Sequence, residues 1–208
     1  MEKEEKNYTG IIPGQEEGSI ITAESHVETE DTELAQALFN TAKERLLDVN
    51  NWQHVAGELL ARFQLTDAAG REVPSPVQEG YRFKLDIPGP GTEAGEGYDW
   101  VEVEAVETFD TADIESVAIR VRPASNPQTP EEEVAHFYSD ESTSTFTVTR
   151  EKNKVTAAVY DRNIKPNTDS ERLGDKLRNT LAGAVGIGIF SKVQWKNLTD
   201  GLIQAEAT

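Results

Sequence analysis

Three observations predict an α+β domain. Apolar and polar side chains alternate with a period of two through the middle of the chain, from Tyr81 to Tyr160. Apolar residues recur at helical spacing near both ends, from Leu34 to Leu47 and from Leu173 to Val185. Turn residues separate these stretches, and no segment repeats. The 208 residues suffice for one domain with a substantial core.

Residues 1–18 lack periodicity and contain Gly10, Pro13, Gly14 and Gly18. They are expected to form a flexible acidic arm, anchored by Tyr8, Ile11 and Ile12. The single folded domain is then 19–208. Ile21, Ala23 and Val27 lie among Thr22, Glu24, His26 and Glu28, so Ser19 to Glu28 reads as a strand. Thr32 opens a helix to about Asp48. Leu34, Leu38, Ala42, Arg45 and Leu46 follow its period, and Ala35, Phe39 and Leu47 broaden the stripe. Asn50 and Asn51 break it, and either can cap a short helix from Trp52 to about Leu60. A strand is expected from Ala61 to Thr66, then a turn at Asp67-Ala68-Ala69-Gly70.

Tyr81, Phe83, Leu85 and Ile87 alternate with Arg82, Lys84 and Asp86. Pro88-Gly89-Pro90-Gly91 stops that strand, because proline donates no ladder hydrogen bond. Val101, Val103 and Ala105 form the apolar side of the next strand, and Val117, Ile119 and Val121 that of its partner. Glu102 and Glu104 are then placed to meet Arg120 and Arg122 across the ladder, as a solvated charge ladder. Pro123 to Thr143 interrupts the sheet. Within it, Thr129-Pro130-Glu131-Glu132 has the form of a helix start. Phe146 and Val148, then Val155, Ala157 and Val159, mark two more strands, joined by a hairpin turn at Glu151-Lys152-Asn153-Lys154. Thr168-Asp169-Ser170-Glu171 is a capping box. It starts a long helix with Leu173, Leu177, Leu181 and Val185 on one face. Ser191 is expected to cap a final short helix holding Val193, Trp195, Leu198 and Leu202.

Composition narrows the function. Cysteine is absent, which excludes disulfides, thiolate zinc sites and a thiol nucleophile. The net charge of −18 argues against nucleic-acid binding. Charge is uneven: residues 150–208 hold ten basic and seven acidic residues, while residues 1–33 hold ten acids against Lys3 and Lys6. The arm is therefore a solvated tail, a strap on the basic C-terminal part, or a contact for a basic partner. No secretory h-region follows the first residues, so a cytoplasmic location is expected. No apolar run is long enough for a transmembrane segment.

The search for chemistry returns little. His26, His54 and His136 lie on three separate elements without metal-ligand spacing, so no metal or cofactor is expected. Gly183, Gly186 and Gly188 reverse the spacing of a dinucleotide loop and fall inside a helix. No Walker loop, nucleophile elbow or calcium loop is present. His136-Phe137-Tyr138 is the most suggestive cluster. If its loop lids a cavity, these rings line the mouth.

The order of strand, two helices, about six strands and a long C-terminal helix resembles the START-like, or SRPBCC, helix-grip superfamily. The Leu34–Asp48 helix, the Asn50-Asn51-Trp52 break and the helix from Trp52 match that family's helical V. Residues 171–190 match its gripped helix. The arm, the long 123–143 loop and the apolar segment to Ile203 depart from it. The resemblance implies a curved antiparallel sheet of six to seven strands gripping a long C-terminal helix, with two short helices after strand one. It also implies a cavity between sheet and helix. The expected lining is Phe83, Val103, Val121, His136, Tyr138, Phe146, Leu177 and Leu181. The first functional reading is non-catalytic binding of an apolar or amphipathic small molecule. The second is a protein-interaction module that uses the arm or the 123–143 loop. The third is a cyclase-like or hydrolase-like enzyme with His136 as base.

Overall fold

The computed structural model describes residues 5–57, 61–87, 94–130, 133–167 and 184–204, with side chains of the last segment from Ser191 onward. Its centre is a curved seven-stranded sheet. The strands are β1 (Ser19–Glu28), β2 (Arg62–Thr66), β3 (Arg82–Asp86), β4 (Asp99–Asp110), β5 (Ile114–Pro123), β6 (Thr143–Glu151) and β7 (Lys154–Ile164). They are antiparallel in the order β1-β7-β6-β5-β4-β3-β2, so the first strand pairs with the last. The expected α+β architecture is what forms.

The concave face carries the apolar half of each alternation. Phe63, Phe83, Val101, Val103, Ile119, Val121, Phe146 and Val159 are all buried there. Among the described residues three helices cover it: α1 (Thr32–Leu47), α2 (Trp52–Val55) and α3 (Ala184–Leu202). Asp31 caps α1 by accepting the Leu34 N–H at 2.8 Å. The helix buries Ala35, Phe39, Ala42 and Leu46. The buried stripe thus sits one residue on from the expected start, and Leu34 is exposed.

A 3₁₀ turn (Val49–Asn51) joins α1 to α2. Neither asparagine caps α2 with its side chain. Asn50 instead accepts the Leu65 N–H at 2.7 Å and donates to Val73 O at 2.9 Å, tying the turn to β2. Trp52 is fully buried. Its ring centroid lies 4.7 Å from Phe146, 5.3 Å from Phe63 and 5.6 Å from Phe83. Its indole N–H donates to Leu46 O at 3.0 Å, which satisfies the one polar atom this ring brings into the core.

Three local expectations change. The α2 helix ends at Val55, and Gly57 turns the chain with φ +80°. Helix α3 runs unbroken through Ser191, so Ser191 caps no separate helix. Glu131 and Glu132 lie outside the described residues, and among the described residues from Thr129 to Thr143 there is no helix. Val134 forms a β-bridge with Ser125, and the Asn126 side chain accepts the Gln128 N–H at 3.0 Å to form a local turn. Backbone bonds from Trp100 N to Ala135 O (2.8 Å) and from Ala135 N to Ala124 O (3.0 Å) hold this segment extended. A capping sequence is outweighed where its backbone finds sheet partners. The Thr168 capping box, Leu173, Leu177 and Leu181 lie outside the described residues.

The convex face carries Thr145, Thr147, Thr149, Thr156, Ala118 and Ala158, all buried. Residues 5–18 lie across this face. Ile12 packs on Ala158 and Tyr160, Tyr8 stacks on Phe109, and Arg120 donates to Ile11 O at 3.1 Å. Charges fix both ends of the segment. Glu5 pairs with Arg162, Lys6 with Glu151 at 2.8 Å, and Glu17 with Lys165 at 2.7 Å.

The β4–β5 ladder keeps its expected faces only as far as Val103; beyond it Ala105, expected on the apolar side, pairs with Arg120, and Val106 takes the core-facing place opposite Ile119. The register slips between Val103 and Ala105, which leaves Glu104 as a bulge. Arg120 (2.8 Å) and Arg122 (2.6 Å) both converge on Glu104, while Glu102 pairs with Arg82 at 3.4 Å. Among the described residues, no helix is long and apolar enough to cross a membrane.

Candidate functional site

One end of the concave face remains incompletely filled. Here β3, β4 and β6 diverge from α3, and residues 133–138 close the gap from the side. The cavity has a volume of about 50 Å³. Phe63, Phe83, Leu85, Val101, Val121 and Phe146 supply its sheet wall. His136, Phe137 and Tyr138 supply the loop wall, and Ser191, Gln194 and Trp195 the α3 wall. Ser144 and Asp161 form a polar corner between them. A crevice of about 10 Å³ between α2 and α3 shares Ala61, Phe63 and Gln194 with it.

The loop wall is held from both sides. Asp99 accepts the Phe137 N–H at 3.2 Å. Asn167 donates to Val134 O at 3.1 Å and to His136 O at 3.0 Å, and its own N–H reaches Phe137 O at 2.9 Å. Tyr138 forms a β-bridge with Pro166. The rings of His136 and Phe137 stack at 4.3 Å, as do Phe137 and Tyr138 in a tilted arrangement.

Burial sets the protonation of the polar groups. The His136 ring is pushed down to about 3, because desolvation disfavours the imidazolium. The Tyr138 N–H reaches Nδ1 at 3.0 Å, so the neutral ring carries its proton on Nε2. Asp161 is pushed up to about 6 by desolvation, partly offset by Ser144, Trp195 and Arg162. Trp195 Nε1–H donates to Asp161 Oδ2 at 2.9 Å. Asp161 Oδ1 is buried and has no hydrogen-bond partner among the described residues, and the same holds for Gln194 Oε1. Tyr138 Oη stands 3.4 Å from Ser191 Oγ, and burial raises its phenol to about 12. Asp99, behind the loop wall, is raised to about 7 by desolvation.

Of the residues expected to line a cavity, Phe83, Val121, His136, Tyr138 and Phe146 do line this one. Val103 does not. It is fully buried in the core further along β4. Leu177 and Leu181 lie outside the described residues. The sequence reading missed Asp99, Ser144, Asp161 and Asn167, along with the α3 wall. Asp161 had a signal: Val155, Ala157 and Val159 are buried on one face, and the next residue in that period is Asp161. Asp99 extends Val101 and Val103 backwards in the same way. Asn167 and Gln194 had no such signal.

No family model matches the chain, and no curated protein matches it. Among solved structures, it is similar to a hypothetical protein from Helicobacter pylori, with 17% identity, a TM-score of 0.48, and coverage of 97% of this chain and 93% of that one. It is similar to Ara h 8.0201 with 13% identity, a TM-score of 0.33, and coverage of 86% and 99%. It is also similar to norcoclaurine synthase from Thalictrum flavum, with 8% identity, a TM-score of 0.35, and coverage of 88% and 94%.

Proposed function

We propose that this START-like chain is a binding domain that takes a small apolar or amphipathic molecule into the cavity between its sheet and α3, without catalysis. The observation that supports this most is the composition of the cavity wall. An aromatic lining surrounds a few convergent polar groups, and two of their buried acceptor atoms have no protein partner among the described residues. Buried polar atoms ordinarily find a partner, and a ligand is one way to supply it.

Size sets a limit. A cavity of about 50 Å³ holds a few waters, whereas sites for drug-sized ligands span roughly 300–1,000 Å³. The described conformation is therefore a closed one. A larger occupant enters by moving the 133–138 wall, whose backbone is held by Asp99 and Asn167. Catalysis by His136 has little support. An imidazole held down to about 3 accepts a proton poorly at neutral pH, and its Nε2–H acts as a donor. The arm offers a partner little free charge in its described part, since Glu5 and Glu17 already pair with Arg162 and Lys165.

Native mass spectrometry of protein purified gently from its own host tests the reading, with the denatured mass as reference. A noncovalent adduct is expected. Benzene or 1-butanol added to stripped protein should shift the Trp195 indole and Phe146 ring resonances. A bare mass together with unmoved resonances would overturn the proposal.

A further inference from the structure

We infer that the cavity selects amines: its occupant carries a protonated nitrogen whose N–H meets Asp161 Oδ1. The inference rests on the reading of this cavity as a binding site, and it adds the chemical class.

The charge around the cavity carries the inference. Asp161 is 1% exposed and Gln194 5% exposed. The carboxylate spends Oδ2 on the Trp195 indole, and Oδ1 has no hydrogen-bond partner among the described residues. The lining includes no lysine or arginine among the described residues. Arg162, a cation that bears on Asp161, is the next residue on β7, and adjacent strand residues point to opposite faces. Its guanidinium donates to the Asp161 backbone carbonyl at 2.9 Å and pairs with Glu5 on the convex side. The described lining thus supplies a buried acidic group and no basic group to match it.

A donor on the ligand completes the acceptor, and a charged donor does so most strongly. A carboxylate ligand would meet Asp161 with like charge in a poorly solvated space. The remaining wall suits the rest of an amine. Phe63, Phe83, Phe146 and Trp195 present aromatic surface that accommodates an alkyl chain, and their faces attract an ammonium group.

Among the described residues, the polar groups around Asp161 are few. His136 and Tyr138 face the cavity from the loop wall, Ser144 from β6, and Ser191, Gln194 and Trp195 from α3. The histidine ring is held neutral down to about pH 3, and the tyrosine keeps its proton to about pH 12. Between these limits, Asp161 is the group among the described lining residues that changes charge.

The test compares n-butylamine, 1-butanol and butyrate, which are near-isosteric, by following the Trp195 indole resonance in the full chain. Expected are at least tenfold tighter binding of the amine than of the alcohol, and no binding of butyrate. In Asp161→Asn the amine should lose this advantage, the ratio of amine to 1-butanol affinity falling to about one. A second readout needs no variant. In wild type, amine affinity should fall as the pH drops below about 6, by up to about tenfold per pH unit, while 1-butanol affinity stays flat. Binding of 1-butanol as tight as that of the amine overturns the inference and leaves the cavity as a site for neutral molecules. An amine advantage that survives both Asp161→Asn and low pH overturns it equally. Failure of all three probes to bind overturns the binding reading itself.

Discussion

Gly201 lies against Val55, where the end of α3 crosses the end of α2. A Cβ built on Gly201 would stand 1.9 Å from the Val55 carbonyl oxygen and 2.6 Å from its carbonyl carbon. The neighbouring atoms are backbone, so no side-chain rotation relieves the clash. Gly201→Ala should therefore destabilise the protein by about 1–3 kcal/mol or more, as overpacking in close-packed interiors does. Gly14→Ala is the control, since nothing lies within 4 Å of a Cβ there. It should fall within about 0.5 kcal/mol of wild type. Urea unfolding of the two variants checks this, and equal midpoints would contradict it.

The crossing at Gly201 was illegible in the sequence, whereas the glycines at 183, 186 and 188 stood out there. A cluster of glycines in a helical pattern draws notice, but one glycine at a helix end reads as a terminator. The strands were legible because period two is imposed residue by residue by the pleat. Their ends were not. Apolar alternation marks β4 from Val101 and β7 as far as Val159, and the acidic residues that continue each period carry no apolar signal. Extending each by one period brings Asp99 and Asp161 onto the concave face. The loop was misread for a related reason. Thr129-Pro130 is a sound local helix start, but the backbone around Ala135 pairs with Trp100, a partner that sequence spacing does not reveal.

The arm's buried apolar anchor on the convex face is Ile12, which is 5% exposed on Ala158 and Tyr160. Removing a buried isoleucine side chain costs about 2–5 kcal/mol in a rigid core. A strap can relax, so Ile12→Ala should lie near the lower end, at about 2 kcal/mol. Tyr8→Phe keeps the stacking on Phe109, 5.8 Å between centroids, and loses the hydroxyl contact to Glu151. It should cost about 1 kcal/mol or less. Thermal melts with calorimetry separate the two. A larger loss from Tyr8→Phe than from Ile12→Ala would show that the arm is held by its polar end instead.

His136 should stay neutral across the usual pH range. Its ring accepts the Tyr138 N–H at Nδ1 and is desolvated, with a midpoint near 3. Long-range ¹H–¹⁵N correlation spectra should show one imidazole as the Nε2–H tautomer at about pH 5, with no titration up to about pH 8. A His136 midpoint between about 6 and 7 would mean that the ring reaches solvent and that the loop wall stands open.

Asp99 should make the protein less stable as the pH rises through neutrality. Burial raises its carboxyl from 3.8 to about 7, so between those values the folded state holds a proton that the unfolded state has lost. Its contribution is complete below about pH 4 and disappears as the pH passes about 7. Asp161 acts in the same direction up to about pH 6. His136 opposes both, because its lowered midpoint makes the unfolded state bind the extra proton from about pH 3 up to its ordinary value of 6.5. Glu17 and Asp67 are held low by Lys165 and Arg71, so what they contribute is lost only as the pH falls below their ordinary values of 4.5 and 3.8. Between about pH 6.5 and 7.5, Asp99 therefore dominates this group. Asp99→Asn keeps an acceptor for the Phe137 N–H and removes the titration. The stability of wild type relative to this variant should fall between about pH 5 and 7, at up to about 1.4 kcal/mol per pH unit, and level off above about pH 8. Urea unfolding at half-unit pH steps measures the difference directly. Parallel curves for the two proteins would show that Asp99 is already ionised in the fold, with a cation or water reaching it behind the loop wall.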